Sequence, residues 1–313
     1  MFTSIWDDIK REFSYGNMVT RIIIVNIAFF VAINLLYLVL FITAGWKEAN
    51  IYKEVLYFFS LSGNWKYQLT HPWTVITSMF LHEGFFHLLW NMLFLYWFGR
   101  IVGDFIGNQR VLPIYLLGGL VGGAAYFLSA NLLPEHVGIG TVAYGASAAV
   151  MAIVVAAGAI APNYQFHLFL IGEVKLKYIV AVLVFLDLVG VAGRDNTGGH
   201  FAHLGGALLG FLFVRQLREG RDLSVGVNRL LEQLQNIFQR RPKPQEKARP
   251  RPKVVYKNTA ATSGKQSKGH AAPFEDENSY QEQLDAILDK IKQSGYDSLS
   301  AHEKDFLFNA SKR

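Results

Sequence analysis

"GASAAVMAIVVAAGAIA" (residues 145–161) carries one hydroxyl, Ser147, at the head of a run with no charge and no other polar side chain. From Ser147 to Ala161 a helix would hold 15 residues and rise about 22 Å. The hydrocarbon core of a bilayer is about 30 Å thick. A span this short predicts that its N-terminal end lies below the outer surface. The preceding "GIGTVAYGA" (138–146) would then enter the membrane as loop, which is tolerated only where backbone is buried or lines a wet cavity. Ser147 is thereby placed at a helix N-terminus, where free N–H groups and the helix dipole favour an anion. The simpler reading is that Ser147 caps the helix, and the segment alone favours it.

The rest of the chain shares the apolar character of this stretch. Of 313 residues 51% are hydrophobic, and runs with almost no charge cover 22–43, 111–133, 141–161, 178–192 and 198–214. Since a spanning helix needs about 20 mostly apolar residues, the fold class is an all-α polytopic membrane protein. Six spans are expected, at about 21–43, 85–102, 111–131, 146–161, 176–192 and 199–217. The first run is too long for a signal-peptide core and no cleavage site follows it. There is no cysteine, which excludes disulfides, thiol catalysis and thiolate metal sites. The net charge of +6 resides mostly in the tail and gives no ground for nucleic-acid binding.

Charge placement orients the spans through the positive-inside rule. Lys10, Arg11, Arg21, Arg100, Arg110, Lys175, Lys177, Arg215, Arg218 and Arg221 all fall on one side if both termini are cytoplasmic. The 131–145 loop has no Lys or Arg. The 44–84 loop holds Lys47, Lys53 and Lys66 beside Glu48, Glu54 and Glu83, with many aromatics, and is expected partly in the outer interface. The domain reading is a cytoplasmic segment 1–20, a six-span domain 21–217 and an amphipathic juxtamembrane helix 218–239. A basic, proline-rich linker 240–275 and a helical hairpin 276–313 complete it. Leu230, Leu231, Leu234, Ile237 and Phe238 give the amphipathic pattern. Tyr280, Leu284, Ile287, Leu288 and Ile291 make the stripe of the hairpin, and Ser300 with Glu303 a capping box. So small a hairpin needs something to dock on, here an unknown cytoplasmic partner.

Polar groups inside spans are costly and therefore functional candidates. His87, Asn91, Ser147, Asp187 and His203 qualify, and the topology puts all five in the outer half. "LHEGFFHLLWN" (81–91) misses the zinc signature His-Glu-x-x-His because residue 86 is Phe86. His82 and His87, five apart, do not share a helix face, whereas His87 and Asn91, four apart, do. Two donors on one face can point at a single developing negative charge; alone, they would read as interhelical hydrogen bonding. A serine nucleophile needs a base, and "GGHFAHLGGALLGFLF" (198–213) supplies His203. Ala202, Gly206 and Gly210 form a small stripe that can meet Ala148, Ala149, Ala152 and Ala156 backbone to backbone. His200 lies nearer the outer end and is the weaker base. Asp187 reads as a residue at the outer interface.

"GASA" (145–148), "HEGFFHLLWN" (82–91) and "AHLGGALLG" (202–210) together resemble the signature segments of the rhomboid family of intramembrane serine proteases. The resemblance covers roughly 70–217 and not the tail. It implies a Ser–His dyad of Ser147 and His203, with an oxyanion hole from His87, Asn91 and the Ser147 backbone. It also implies Gly145 in the active-site loop, Gly206 and Gly210 in helix packing, transmembrane protein substrates, a lipid-bilayer setting and no cofactor or metal. The chain departs from the family in three places. Ala148 follows the nucleophile where glycine is common. Gly103 replaces an acidic residue, with Asp104 beside it. Met151 stands where some members place a tyrosine against the base, which leaves open what orients His203.

Expected, then, is an endopeptidase cutting spanning helices near the outer face, in a multi-pass protein of a bacterial inner membrane. The alternative is an inactive relative that binds membrane clients. A transporter would need polar groups through the whole depth of a pathway, and a metal site would draw on His82, His87, His200 and His203.

Overall fold

The computed structural model describes residues 7, 10–14, 16–43, 51–138, 140–168, 172–193, 195–238, 277–294 and 296–310. Uninterrupted apolar sequence makes long helices. α1 (Met18–Thr43) leads into α2 (Ile51–Phe59), β1 (Leu61–Ser62), α3 (Trp65–Thr70) and the one-turn α4 (Thr74–Thr77). α5 (Phe85–Ile106) and α6 (Val111–Leu132) follow, then β2 (Val142–Ala143) and α7 (Ser147–Ile160). β3 (Gln165–Leu168), β4 (Gly172–Lys175), α8 (Leu176–Ala192), α9 (Thr197–Arg218) and α10 (Ser224–Phe238) complete this unit. Among the described residues four helices are long and apolar enough to cross a membrane: α1, α5, α6 with the turn before it, and α9. α7 has 14 residues and α8 has 17, so helix length alone establishes two crossings fewer than the six expected.

α7 is the axis of the bundle. Every residue from Ala148 to Gly158 except Met151 is buried, against α5, α6 and α9. The approach is backbone to backbone. A Cβ built on Gly206 would overlap the Ala148 carbonyl oxygen, and one on Gly210 the Ala152 carbonyl oxygen. α6 brings a third small face: Cβ atoms on Gly118 and Gly122 would run into the Ala152 and Ala148 methyl groups. Lipid tails are as apolar as leucine, so close van der Waals packing of this kind is what holds membrane helices together. Away from this seam, the Asn26 side-chain amide donates to Ile22 O at 2.9 Å and to the Tyr115 hydroxyl at 3.2 Å. Tyr115 in turn donates to Met79 O at 2.9 Å, which satisfies the buried polar groups and ties α1, α6 and residues 78–80 together.

The all-α expectation omits two short antiparallel ladders. β3 pairs with β4, and β1 pairs with β2 with Leu61 opposite Ala143. Strands of two to four residues are too short to show a period-2 pattern. The β1–β2 pair matters because it fastens the 51–84 region to the segment just before Ser147. That region is itself ordered by aromatic packing: Tyr67 stacks on His71 at 3.8 Å, and the Trp73 indole N–H donates to Phe58 O at 3.1 Å.

α10 starts at Ser224, not 218, because Gly220 with φ +82° ends the preceding helix and Asp222 caps the new one through Ser224 N at 2.9 Å. Asp222 also pairs with Arg110 at 2.8 Å. Residues 246–313 form a separate unit. Within it, α11 (Glu277–Ser294) and α12 (Ala301–Ala310) form a hairpin. Ser300 N donates to Glu303 Oε2 at 2.7 Å and Lys290 Nζ to Glu303 Oε1 at 2.9 Å. The linker expected at 240–275 lies outside the described residues.

Gly206→Val should destabilise the bundle by about 1–3 kcal/mol or more, the usual range for overpacking. Gly226→Ala, in a helix with open space around it, should be neutral or stabilising by up to about 1 kcal/mol. Thermal unfolding in detergent measures both.

Candidate active site

Ser147 is the first residue of α7. Its N-cap is Ala146, which makes no side-chain capping bond. The capping reading of Ser147 is therefore replaced by another partner: Ser147 Oγ lies 2.8 Å from His203 Nε2. The seam of Ala148, Ala152, Gly206 and Gly210 sets this distance, since it fixes the register of α7 against α9.

On the other edge of the ring, His203 Nδ1 lies 2.8 Å from Asp187 Oδ1. The same oxygen lies 2.8 Å from His200 Nδ1. A carboxylate accepts, so both Nδ1 atoms carry hydrogen and donate. In neutral His203 this leaves Nε2 as the acceptor for the Ser147 hydroxyl. From sequence, Asp187 reads as interfacial; the structure instead buries it at 6% exposure. A signal was available. Asp187 lies five residues before α8 ends and His203 six after α9 begins, so antiparallel neighbours joined by a short turn place them at the same depth.

His87 and Asn91 come from α5 and line, with Gly145, Ser147 and His203, one cavity of about 640 Å³. Asn91 Nδ2 donates one hydrogen to His87 O at 2.9 Å; the amide has two. Gly145 has φ +119°, and a Cβ there would sit 2.8 Å from His87 Nε2 and 3.7 Å from Ser147 Oγ. Glycine is thus needed twice, for the left-handed backbone and for the space beside the imidazole. Gly145 N donates to Ser78 O at 2.8 Å.

His82, outside any zinc motif, has a structural position that its sequence spacing did not reveal. It is fully buried. Nδ1 donates to Phe80 O at 3.2 Å, and Nε2 accepts from Ala146 N at 3.4 Å. Burial first, and the nearby His87 second, push its pKa down to about 4, so the ring stays neutral and able to accept. Asp187, His200 and His203 are the one group of three metal-capable side chains among the described residues, with ligand atoms within 4.8 Å of one another. The set of His82, His87, His200 and His203 is not such a group. In Asp187, His200 and His203 the ligand atoms already hydrogen-bond to one another.

A hydroxyl bonded to an imidazole, beside the free N–H groups of a helix start, has the parts for nucleophilic attack on a carbonyl. The family model described as Rhomboid domain matches residues 69–219, and one described as a family of unknown function matches 275–313. The putative rhomboid protease YdcA of Bacillus subtilis is 30% identical over 146 residues, 46% of this chain and 68% of that protein. The mitochondrial RHOMBOID-like protein 12 of Arabidopsis thaliana is 31% identical over 159 residues, 47% of each. Rhomboid protease GluP of B. subtilis is 29% identical over 140 residues, 44% of this chain and 25% of that protein. Of these last two relatives the chain spans about half the length or less.

A fluorophosphonate probe should add covalently to Ser147, seen as a mass increase on its peptide. His203→Ala should slow the labelling by about 100-fold or more, as loss of a general base does.

Proposed function

The chain belongs to the rhomboid family, and from that premise we propose that it is a serine endopeptidase cleaving membrane-spanning helices near the outer membrane face. It is an integral membrane protein, and proteins of this family generally act as serine proteases on membrane-protein substrates within the bilayer. The observation that carries the reading for this chain is the 2.8 Å contact between Ser147 Oγ and His203 Nε2. A relative that only binds clients has no need of it.

In the proposed reaction Ser147 Oγ bonds to the scissile carbonyl carbon while its proton passes to His203 Nε2. The carbonyl oxygen becomes an oxyanion facing His87, Asn91 and the N–H at the start of α7. The C–N bond then breaks and the proton on Nε2 goes to the leaving amine. Water repeats the sequence on the acyl-enzyme and restores Ser147. The cavity of about 640 Å³ gives water a place at this depth. A substrate helix must unwind locally to present its carbonyl, because helical backbone is already hydrogen-bonded; helices with weakening residues are the expected class.

The reading carries a topology with it. α7 and α8 complete six spans, both termini are cytoplasmic, and the membrane is a bacterial inner membrane. The hairpin of α11 and α12 then faces the cytoplasm, where it docks on a partner protein.

In proteoliposomes with a helix reporter, Ser147→Ala and His203→Ala should each abolish cleavage. Asn91→Ala should cost less, about 10²–10³ in kcat, the usual loss for one oxyanion donor. A chelator should leave the rate unchanged. Retention of cleavage by either alanine variant of the dyad overturns the reading.

A further inference from the structure

The dyad leaves one question: what holds the base. A thioether at Met151 cannot accept from an imidazole N–H with any strength, and its side chain lines the cavity. The partner of His203 Nδ1 is Asp187 Oδ1, at 2.8 Å. We propose that Asp187 is a positioning residue of this site, holding His203 in the tautomer and orientation in which Nε2 accepts the Ser147 proton, and that His200 aims the carboxylate. This inference rests on the protease reading above and adds a third member to the dyad.

Asp187 is an expensive residue to keep where it is. It is 6% exposed in the middle of an apolar helix, and an ionised group there needs compensation. Two imidazole N–H groups converge on one of its oxygens, each at 2.8 Å. One of them, His203, also contacts the nucleophile. The other comes from His200, one helical turn earlier on α9, and α8 makes room for it: a Cβ on Gly190 would overlap the His200 ring. His200 donates to the oxygen from a second direction, so rotation of the carboxylate away from His203 breaks a bond.

The chemistry follows from charge. When the Ser147 proton reaches Nε2, His203 becomes a cation. A carboxylate 2.8 Å from Nδ1 stabilises that cation by a charge-assisted hydrogen bond, and it is in place before the charge forms. The proton on Nδ1 stays on the ring throughout, and Asp187 is neither protonated nor consumed. In Asp187→Asn the amide can present N–H to Nδ1, which stabilises the opposite tautomer, with Nε2 protonated and unable to accept.

The alternative is that Asp187, His200 and His203 merely glue α8 to α9. Kinetics separate the two, measured on the full chain in proteoliposomes with a helix reporter. Asp187→Asn should lower kcat by about 10²–10⁴ with KM changed less than about threefold. Fluorophosphonate labelling of Ser147 should slow in parallel, and the unfolding temperature should change little. Asp187→Glu, which keeps the carboxylate, should restore part of the rate. His200→Gln should cost about tenfold or less, and nothing further when added to Asp187→Asn, because the two act through one group. A kcat for Asp187→Asn within about threefold of the parent overturns the proposal. So does an equal loss in Asp187→Asn and Asp187→Glu that tracks a fall in unfolding temperature. Cleavage surviving in Ser147→Ala would instead overturn the protease reading itself.

Discussion

The site exists because two helix backbones touch. The carbonyl oxygens of Ala148 and Ala152 occupy the space that Cβ atoms on Gly206 and Gly210 would need. With larger side chains α7 and α9 would separate, and a contact of 2.8 Å between residues 56 apart in sequence would be lost. In water such helices would be driven together by burying apolar surface. In lipid that drive is absent, and fit between small residues has to replace it. Glycine and alanine therefore set where Ser147 and His203 meet, since both side chains ride on their register.

A second constraint fixes the turn that enters α7. Gly145 N is held by Ser78 O at 2.8 Å, Ala146 N by the neutral His82, and Val142–Ala143 by the β1 strand. Three separate tethers act within residues 142–146, immediately before Ser147. All three come from residues 61–82, the region that from sequence reads as an aromatic interfacial loop. Its aromatic contacts give it enough internal structure to serve as a frame.

Much of this was legible in the chain. The expected apolar segments fall within a few residues of the helices α1, α5, α6, α8 and α9, because hydropathy is averaged over many residues. The apolar run headed by Ser147 signalled a short helix beginning there, and α7 spans Ser147–Ile160. The four-residue spacing of Ala202, Gly206 and Gly210 signalled the seam, and three motifs signalled the family. What stayed hidden depends on partners distant in sequence. Gly118 and Gly122 on α6 share the four-residue spacing, but that they face Ala152 and Ala148 is visible in the fold alone. His82 has no recognisable spacing, because its partners are backbone atoms. Asp187 was one of the polar span candidates, but its bond to His203 depends on how α8 packs against α9.

Of the 17 residues of α8, just Leu176 and Asp187 are buried. Phe185, Leu186, Leu188 and Val189 are all more than half exposed, and in the six-span topology proposed above that surface would meet acyl chains. The carboxylate bonded to His203 Nδ1 is thus carried by a helix that buries one other residue, Leu176. Under the proposed mechanism, a bilayer thickness that tilts so lightly held a helix, which costs little, would disturb the bond to His203 and with it the proton transfer.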